Sequence, residues 1–177
     1  MSWDNTGSCS AQESGAGVFP CTGTKPSPEI KIPMPSRETF SRSIENNFQA
    51  MASLVSEANA FGENLGMGPH SLYRLNFVLE EIISNVIKYA YQDDNIHLIH
   101  VQISHEGERV RITIADDGKA FDPLHSPEPN TGLPVEEREI GGLGIHLVRK
   151  MTQQMAYIRD NGNNILTIVF GTHESSE

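Results

Sequence analysis

Residues 77–88 read FVLEEIISNVIK and lie inside the segment with the clearest helical periodicity in the chain. Apolar side chains recur there at spacings of three and four residues: Leu72, Leu75, Leu79, Ile82, Ile83, Val86 and Ala90. Because this spacing matches about 3.6 residues per turn, the pattern predicts an amphipathic helix. We expect that helix to begin at Pro69 and to end at about Tyr91.

The same helix carries an unusual polar face. Glu81, Asn85 and Lys88 fall within about 60° of one another, away from the apolar stripe. The simplest interpretation is a solvated helix face. Asn85 favours a site instead, because Asn is a poor helix former and its amide oxygen can bind a magnesium ion. Glu81, one turn earlier, could then accept a proton.

The segments before this helix predict a short strand and a first helix. Alternating residues Glu29–Met34 end at prolines, which is typical of an edge strand. Ser36 to Thr39 resembles a helix start, and helical spacing continues to about Phe61.

The segments after it predict two strands, a helix and a hairpin. The strands centre on residues 99–103 and 110–114, the helix covers Leu143 to about Thr152, and the hairpin joins 155–159 to 165–170 through the turn 160–163. About five strands and three helices result. Short strand connections favour a two-layer α/β sandwich, with a mixed, mostly antiparallel sheet and the helices on one face.

Composition limits the domain and its partners. Residues 1–28 are rich in Ser, Gly, Thr and Pro and predict a disordered tail, followed by one domain over 29–173. Cys9 and Cys21 both lie in that tail, so a disulfide framework for the core is excluded and a reducing cytoplasm is expected. The formal charge of −10 opposes binding to nucleic acid or anionic lipid, and no apolar run is long enough to cross a membrane.

A second motif, Asp116-Asp117-Gly118, follows the strand that ends near Ile114. An ordinary turn explains it, because Asp and Gly are common where strands end. A binding site also explains it: a partly buried Asp116 would accept a hydrogen bond from an exocyclic amine such as that of adenine. Gly118 would allow the backbone to approach the base closely.

A third motif, Gly141-Gly142-Leu143-Gly144, opens the third helix after a long loop-like stretch. A glycine-rich linker is the plain interpretation. The amides at a helix N-terminus also bind anions, and glycines let a phosphate approach them.

The order of these three motifs resembles the GHKL ATPases, whose nucleotide pocket is the Bergerat fold. Within them the chain is most similar to the anti-sigma-factor serine/threonine kinases, over residues 29–171. The resemblance implies Glu81 as general base, Asn85 as magnesium ligand beside Lys88, and Asp116 with Gly118 at the adenine. It further implies phosphate contacts from Gly142, Leu143, Gly144 and Ile145, an ATP lid at 121–141, and Thr167 beside a water at the adenine. Ala120 departs from the pattern, which has a second glycine there.

The resemblance also implies a function. An enzyme of this family would bind Mg-ATP, phosphorylate a small anti-anti-sigma-factor protein, sequester an alternative sigma factor and form a homodimer. One alternative is a nucleotide-dependent anti-sigma or adaptor module without kinase activity. Another is the catalytic domain of a sensor histidine kinase, which would need an upstream helix with an acceptor histidine, whereas residues 37–61 contain no His. The last is an α/β scaffold that binds no nucleotide.

Overall fold

The structure, a computed structural model, describes residues 38–125 and 143–172. Three helices and five strands follow one another as β1 (Glu38–Glu45), α1 (Phe48–Asn64), α2 (Pro69–Tyr89), β2 (Leu98–Glu106), β3 (Arg109–Asp116), α3 (Leu143–Met151), β4 (Gln154–Asp160) and β5 (Asn163–Gly171). The strands form one sheet in the order β1-β2-β3-β5-β4, and all four pairings are antiparallel. The predicted α/β sandwich is confirmed.

One hydrophobic core joins the helices to a single face of the sheet. Alternate strand residues are buried, among them Ile99, Val101, Ile103, Val110, Ile112, Ile114, Leu166, Ile168 and Phe170. They pack with Leu75, Val78, Leu79, Ile82 and Ile83 of α2. Full burial of each large aliphatic side chain contributes about 1.5–3 kcal/mol, so this layer holds α2 firmly over the sheet.

Helix α2 follows its sequence pattern closely. Gly68 stands at its N-cap and Pro69 in its first turn, where a missing amide hydrogen costs nothing. It ends at Tyr89, with Ala90 as C-cap. The motif residues Glu81 and Asn85 therefore sit on a rigid, buried element.

The helix predicted from about Ser36 to Phe61 is wrong in its first part. Residues 38–45 form strand β1, which pairs residue by residue with β2, and helix α1 begins only at Phe48. The helix starts there because Asn47 Oδ1 accepts a hydrogen bond from the Ala50 amide at 2.8 Å. Phe40 and Ile44 are four residues apart, a spacing that suits one helix face and also one strand face. The predicted strand at 29–34 lies outside the described residues.

The closing hairpin is confirmed, and its turn fixes the register. Asn161 and Gly162 both have positive φ, at 46° and 85°, as a two-residue type I′ turn requires. Asp160 consequently pairs with Asn163, and the strand beyond pairs Asn164 with Asp116 of β3.

Two other predictions fall wholly or largely outside the described residues. They are the tail at 1–28 and the lid at 121–141, of which only residues 121–125 are described, with a 3-10 turn at Pro123–His125. No helix in the described part of the chain is long and apolar enough to span a membrane.

Candidate nucleotide site

A cavity of about 270 Å³ lies between α2, the adjoining ends of β3 and β5, and the start of α3. Its walls are mostly apolar, with a few polar side chains. It is lined by Ile82, Asn85, Val86, Tyr89, Ala90, Ile114, Asp116, Lys119, Phe121, Pro123, Ile145, Tyr157, Asn164 and Leu166. An apolar pocket with few polar groups is typical of a site for a small molecule.

Asp116 is the buried acid of this cavity, with 5% of its surface exposed. Its Oδ1 accepts hydrogen bonds from the Gly118 amide at 2.9 Å and from Asn164 Nδ2 at 2.8 Å. Burial raises the pKa of the Asp116 carboxyl, and these two hydrogen bonds oppose that rise. Both hydrogen bonds reach the same oxygen, so Oδ2 remains available to a ligand in the cavity.

Gly118 is required by close packing against the end of α2. A Cβ at this position would lie 2.5 Å from Ala90 Cβ and 2.9 Å from the Ala90 carbonyl oxygen. The Lys119 amide donates to that same carbonyl at 2.9 Å. The Asp-x-Gly turn is thereby attached to α2. Ala120, which replaces the second glycine of the family pattern, is exposed and meets no such restriction.

Glu81 and Gly144 meet across the interface of α2 and α3. The Oε2 atom of Glu81 occupies the position that a Cβ on residue 144 would take. Asn85 Nδ2 donates to the Glu81 carbonyl at 2.6 Å, which directs the amide oxygen of Asn85 away from the backbone. The structure therefore brings three predicted residues, Glu81, Asn85 and Gly144, close together, and Asn85 among them lines the cavity.

The predicted phosphate-binding residues are only partly described. Ile145 is buried and lines the cavity, whereas Leu143 is 49% exposed. Gly142 lies outside the described residues.

Lys88 and Thr167 are predicted site residues whose side chains face away from the cavity. Lys88 is exposed, and its ammonium lies 5.9 Å from the centroid of the Phe48 ring, so it faces α1. Thr167 pairs with Thr113 and Ala156, one residue beyond the cavity-lining Leu166. Because successive side chains of a strand alternate between faces, Thr167 lies on the opposite face of the sheet. The predicted role of Thr167 is corrected accordingly.

Asn164, and not Thr167, is the residue of β5 that lines the cavity beside Asp116. Its amide also contacts the hydroxyl of Tyr157 at 2.8 Å and Nη1 of Arg159 at 2.7 Å. Sequence reasoning missed all three residues. One signal could have found Asn164: alternation counted back from the buried Leu166 places it on the same inward face.

One histidine, His97, lies beside Asp117, the residue that follows Asp116. His97 lies between two carboxylates, with Nε2 3.0 Å from Asp93 and Nδ1 3.0 Å from Asp117. The hydrogen bond to Asp93, and then that to Asp117, raise the pKa of His97. The His97 ring stacks on Tyr91 with centroids 4.1 Å apart. These contacts hold Asp117, the residue next to Asp116, and they lie outside the cavity.

The residues present fit the nucleotide and cation that the resemblance implies. Asp116 Oδ2 is a suitable acceptor for an exocyclic amine, and the surrounding walls suit a purine. Within the described ranges, no group of three or more His, Cys, Asp or Glu side chains could hold a metal by itself. Mg²⁺ commonly binds through one or two protein oxygens plus phosphates, and the Asn85 amide oxygen is the side-chain oxygen that would hold it.

Comparison with known proteins agrees with this architecture. Residues 44–170 match the family described as "Histidine kinase-like ATPase domain". The serine/threonine-protein kinase BtrW of Bordetella bronchiseptica is 26% identical over 130 residues, which are 71% of this chain and 90% of that protein. The serine-protein kinase RsbW of Staphylococcus aureus is 24% identical over 142 residues, which are 75% of this chain and 87% of that one.

A solved structure of the RsbU and RsbW domains of Rv1364c from Mycobacterium tuberculosis shares the fold. The TM-score is 0.52 at 10% identity, over 75% of this chain and 32% of that one. The match over residues 44–170 covers most of the chain, including α2, the Asp116 turn, α3 and the closing hairpin. The chain therefore belongs to the family of histidine kinase-like ATPase domains.

Proposed function

We propose that the protein is a Mg-ATP-dependent protein serine/threonine kinase. The observation that carries this proposal is the cavity that joins the open oxygen of Asp116 to Asn85, one turn along α2 from Glu81. Asp116, which can accept a hydrogen bond from a purine, and Glu81, which can take a proton, thus lie on elements that pack around one core. The names of the relatives, which are protein kinases, support the same activity.

Each residue has a defined task in the proposed reaction. Asp116 would accept a hydrogen bond from the adenine amine, and Asn85 would hold the cation through its amide oxygen. Bound Mg-ATP would supply the transferable phosphoryl group. Glu81 would take the proton of the acceptor hydroxyl as its oxygen attacks. Amides at the start of α3, around Gly144, would face the phosphates and offset their charge.

The partners belong to the proposal as well. The protein substrate would be a small anti-anti-sigma factor carrying a Ser or Thr acceptor, and the sequestered partner an alternative sigma factor. We include the homodimer and the cytoplasmic location in the same proposal. The acidic net charge of −10 favours protein partners over nucleic acid.

Phosphoryl transfer tests this function directly. Full-length protein is mixed with Mg-ATP labelled at the γ-phosphate and with a panel of small anti-anti-sigma-factor proteins, and labelled protein is counted over time. Glu81→Gln should lower the transfer rate by about 10²–10⁴-fold, because a general base contributes that much, while ATP binding persists. Glu80→Gln is the matched control, since Glu80 is the exposed neighbour on the same helix.

The assay also separates the kinase from a binding module. A module would bind ATP and retain its protein partner but transfer no label with any acceptor. Equal transfer by Glu81→Gln and the parent protein would contradict the role given to Glu81.

A further inference from the structure

The side-chain amide of Asn164 has every hydrogen-bonding position filled. Its Nδ2 donates to Asp116 Oδ1 at 2.8 Å and to the Lys119 carbonyl at 3.0 Å. Its Oδ1 accepts from the Tyr157 hydroxyl at 2.8 Å and from Arg159 Nη1 at 2.7 Å. Arginine only donates, so the oxygen of Asn164 must face Arg159 and the NH₂ group must face Asp116.

Arg159 joins this amide to the Asp-x-Gly turn. The same Nη1 atom donates to the Gly118 carbonyl at 2.7 Å. Gly118 and Asn164 are also the two donors to Asp116 Oδ1. One guanidinium therefore holds both groups that occupy Oδ1, although Arg159 itself is not among the residues that line the cavity.

We propose that Arg159 is a positioning residue for purine recognition. By holding Asn164 and the Gly118 turn, it keeps Oδ1 of Asp116 occupied and presents Oδ2 to the cavity as a pure acceptor. At position 6, a 6-aminopurine offers a donor to that oxygen, whereas a 6-oxopurine offers an acceptor. Preference for the amine thus depends on a side chain that does not touch the base. This inference rests on the proposed function, because it refines the purine end of the same site.

The positive charge of Arg159 also helps to keep Asp116 an acceptor, because it favours the ionised carboxylate. The titratable and charged groups around the Asp116 carboxylate are Asp117, Tyr91, Lys119, Tyr157 and Arg159. Burial raises the pKa of Asp116, and the positive charge of Arg159 is one of the influences that lower it. Without that charge, protonation of Asp116 moves to higher pH. A protonated carboxyl donates a hydrogen bond and so accepts a 6-oxopurine more readily.

The test compares ATP with inosine triphosphate, which carries an oxo group in place of the amine. Dissociation constants of both Mg-nucleotides are measured by calorimetry, from about pH 5 to pH 8, on the full chain. The parent should prefer ATP by about 10–100-fold, the usual value of one hydrogen bond to a charged group. Arg159→Met keeps the apolar stem and should lower this preference by about tenfold, most strongly at low pH.

Two further variants make the result specific. Arg159→Lys keeps the charge and a donor and should recover part of the preference. Arg42→Ala removes another exposed arginine, one that pairs with Glu57 at 2.7 Å, and should leave the preference unchanged. Thermal unfolding of each variant verifies that it is folded at the temperature of the titration.

The outcomes separate this inference from the proposed function. An unchanged ATP preference in Arg159→Met, alongside a lost preference in Asp116→Asn, overturns the role of Arg159 and leaves the nucleotide site in place. A parent protein that binds neither nucleotide overturns the proposed function itself. A lower preference in Arg159→Met that Arg159→Lys partly restores supports the inference.

Discussion

Gly144→Ala is the substitution whose effect follows most directly from the structure. A Cβ on residue 144 would overlap the Oε2 atom of Glu81 and would lie 2.6 Å from the carboxylate carbon. Since carbon atoms pack at about 3.5–4.0 Å, the new methyl group would push that carboxylate back by about 1 Å. The purine end of the cavity, around Asp116, would not be disturbed.

The expected result is a kinase that binds ATP but transfers phosphate poorly. A misplacement of about 1 Å costs about 10²-fold in rate, so Gly144→Ala should transfer phosphate about 10²-fold more slowly. ATP should still bind through its purine contacts at Asp116, although a methyl group beside the phosphates should weaken its affinity. The free energy of unfolding should not fall, because a carboxylate at the end of a flexible side chain can move and alanine is favoured over glycine in helices by up to about 1 kcal/mol.

The assay combines single-turnover transfer of labelled phosphate, calorimetric titration with Mg-ATP and thermal unfolding. Gly62→Ala is the matched control: its Cβ would lie 2.7 Å from Leu72 Cδ2 and 3.0 Å from Met67 Sδ, between α1 and α2. Overpacking there should cost about 1–3 kcal/mol of stability without slowing transfer by the folded protein. A Gly144→Ala protein that transfers phosphate at the parent rate would refute the position or the role of Glu81.

Two further predictions concern His97 and Asn47, the N-cap residue of helix α1. The hydrogen bonds of His97 to Asp93 and Asp117 raise its pKa, so they stabilise the fold below about pH 6.5 and this contribution disappears as the pH rises through the folded-state pKa. The difference in melting temperature between the parent and His97→Gln should therefore shrink from about pH 6 to pH 9, and a constant difference would contradict this reasoning. Asn47→Ala should cost about 1 kcal/mol in urea unfolding, because Asn47 caps α1, whereas no loss would mean that the helix does not begin there.

Local hydrophobic periodicity was sufficient to predict the elements that carry Glu81, Asn85 and Asp116. Helix α2 and the hairpin of β2 and β3 have patterns that suit only one kind of element, so their positions and inward faces follow from the sequence. Strand β1 was wrongly predicted because Phe40 and Ile44 fit either period. Pairing with β2 makes this segment a strand, and that pairing joins residues far apart in the chain, such as Ile44 and Ile99, which are 55 positions apart.

In the candidate site, too, contacts within one element were predictable and contacts between distant strands were not. Glu81 and Asn85 were predictable, because they share one face of one helix. The contact between Asp116 and Asn164 spans 48 residues and depends on the register of β3 against β5. The family resemblance assigned Thr167 to the adenine, but a shift of one residue in a strand exchanges its faces, and in the observed register Asn164 and Leu166 line the cavity.

A crystal structure of the full chain with Mg²⁺ and a non-hydrolysable ATP analogue would show where the purine and the cation bind. We predict that the amine of the purine lies about 3.0 Å from Asp116 Oδ2, with the phosphates near Gly144 and the cation on the Asn85 oxygen. An analogue bound outside the cavity, or one whose purine faces Glu81 instead of Asp116, would contradict it.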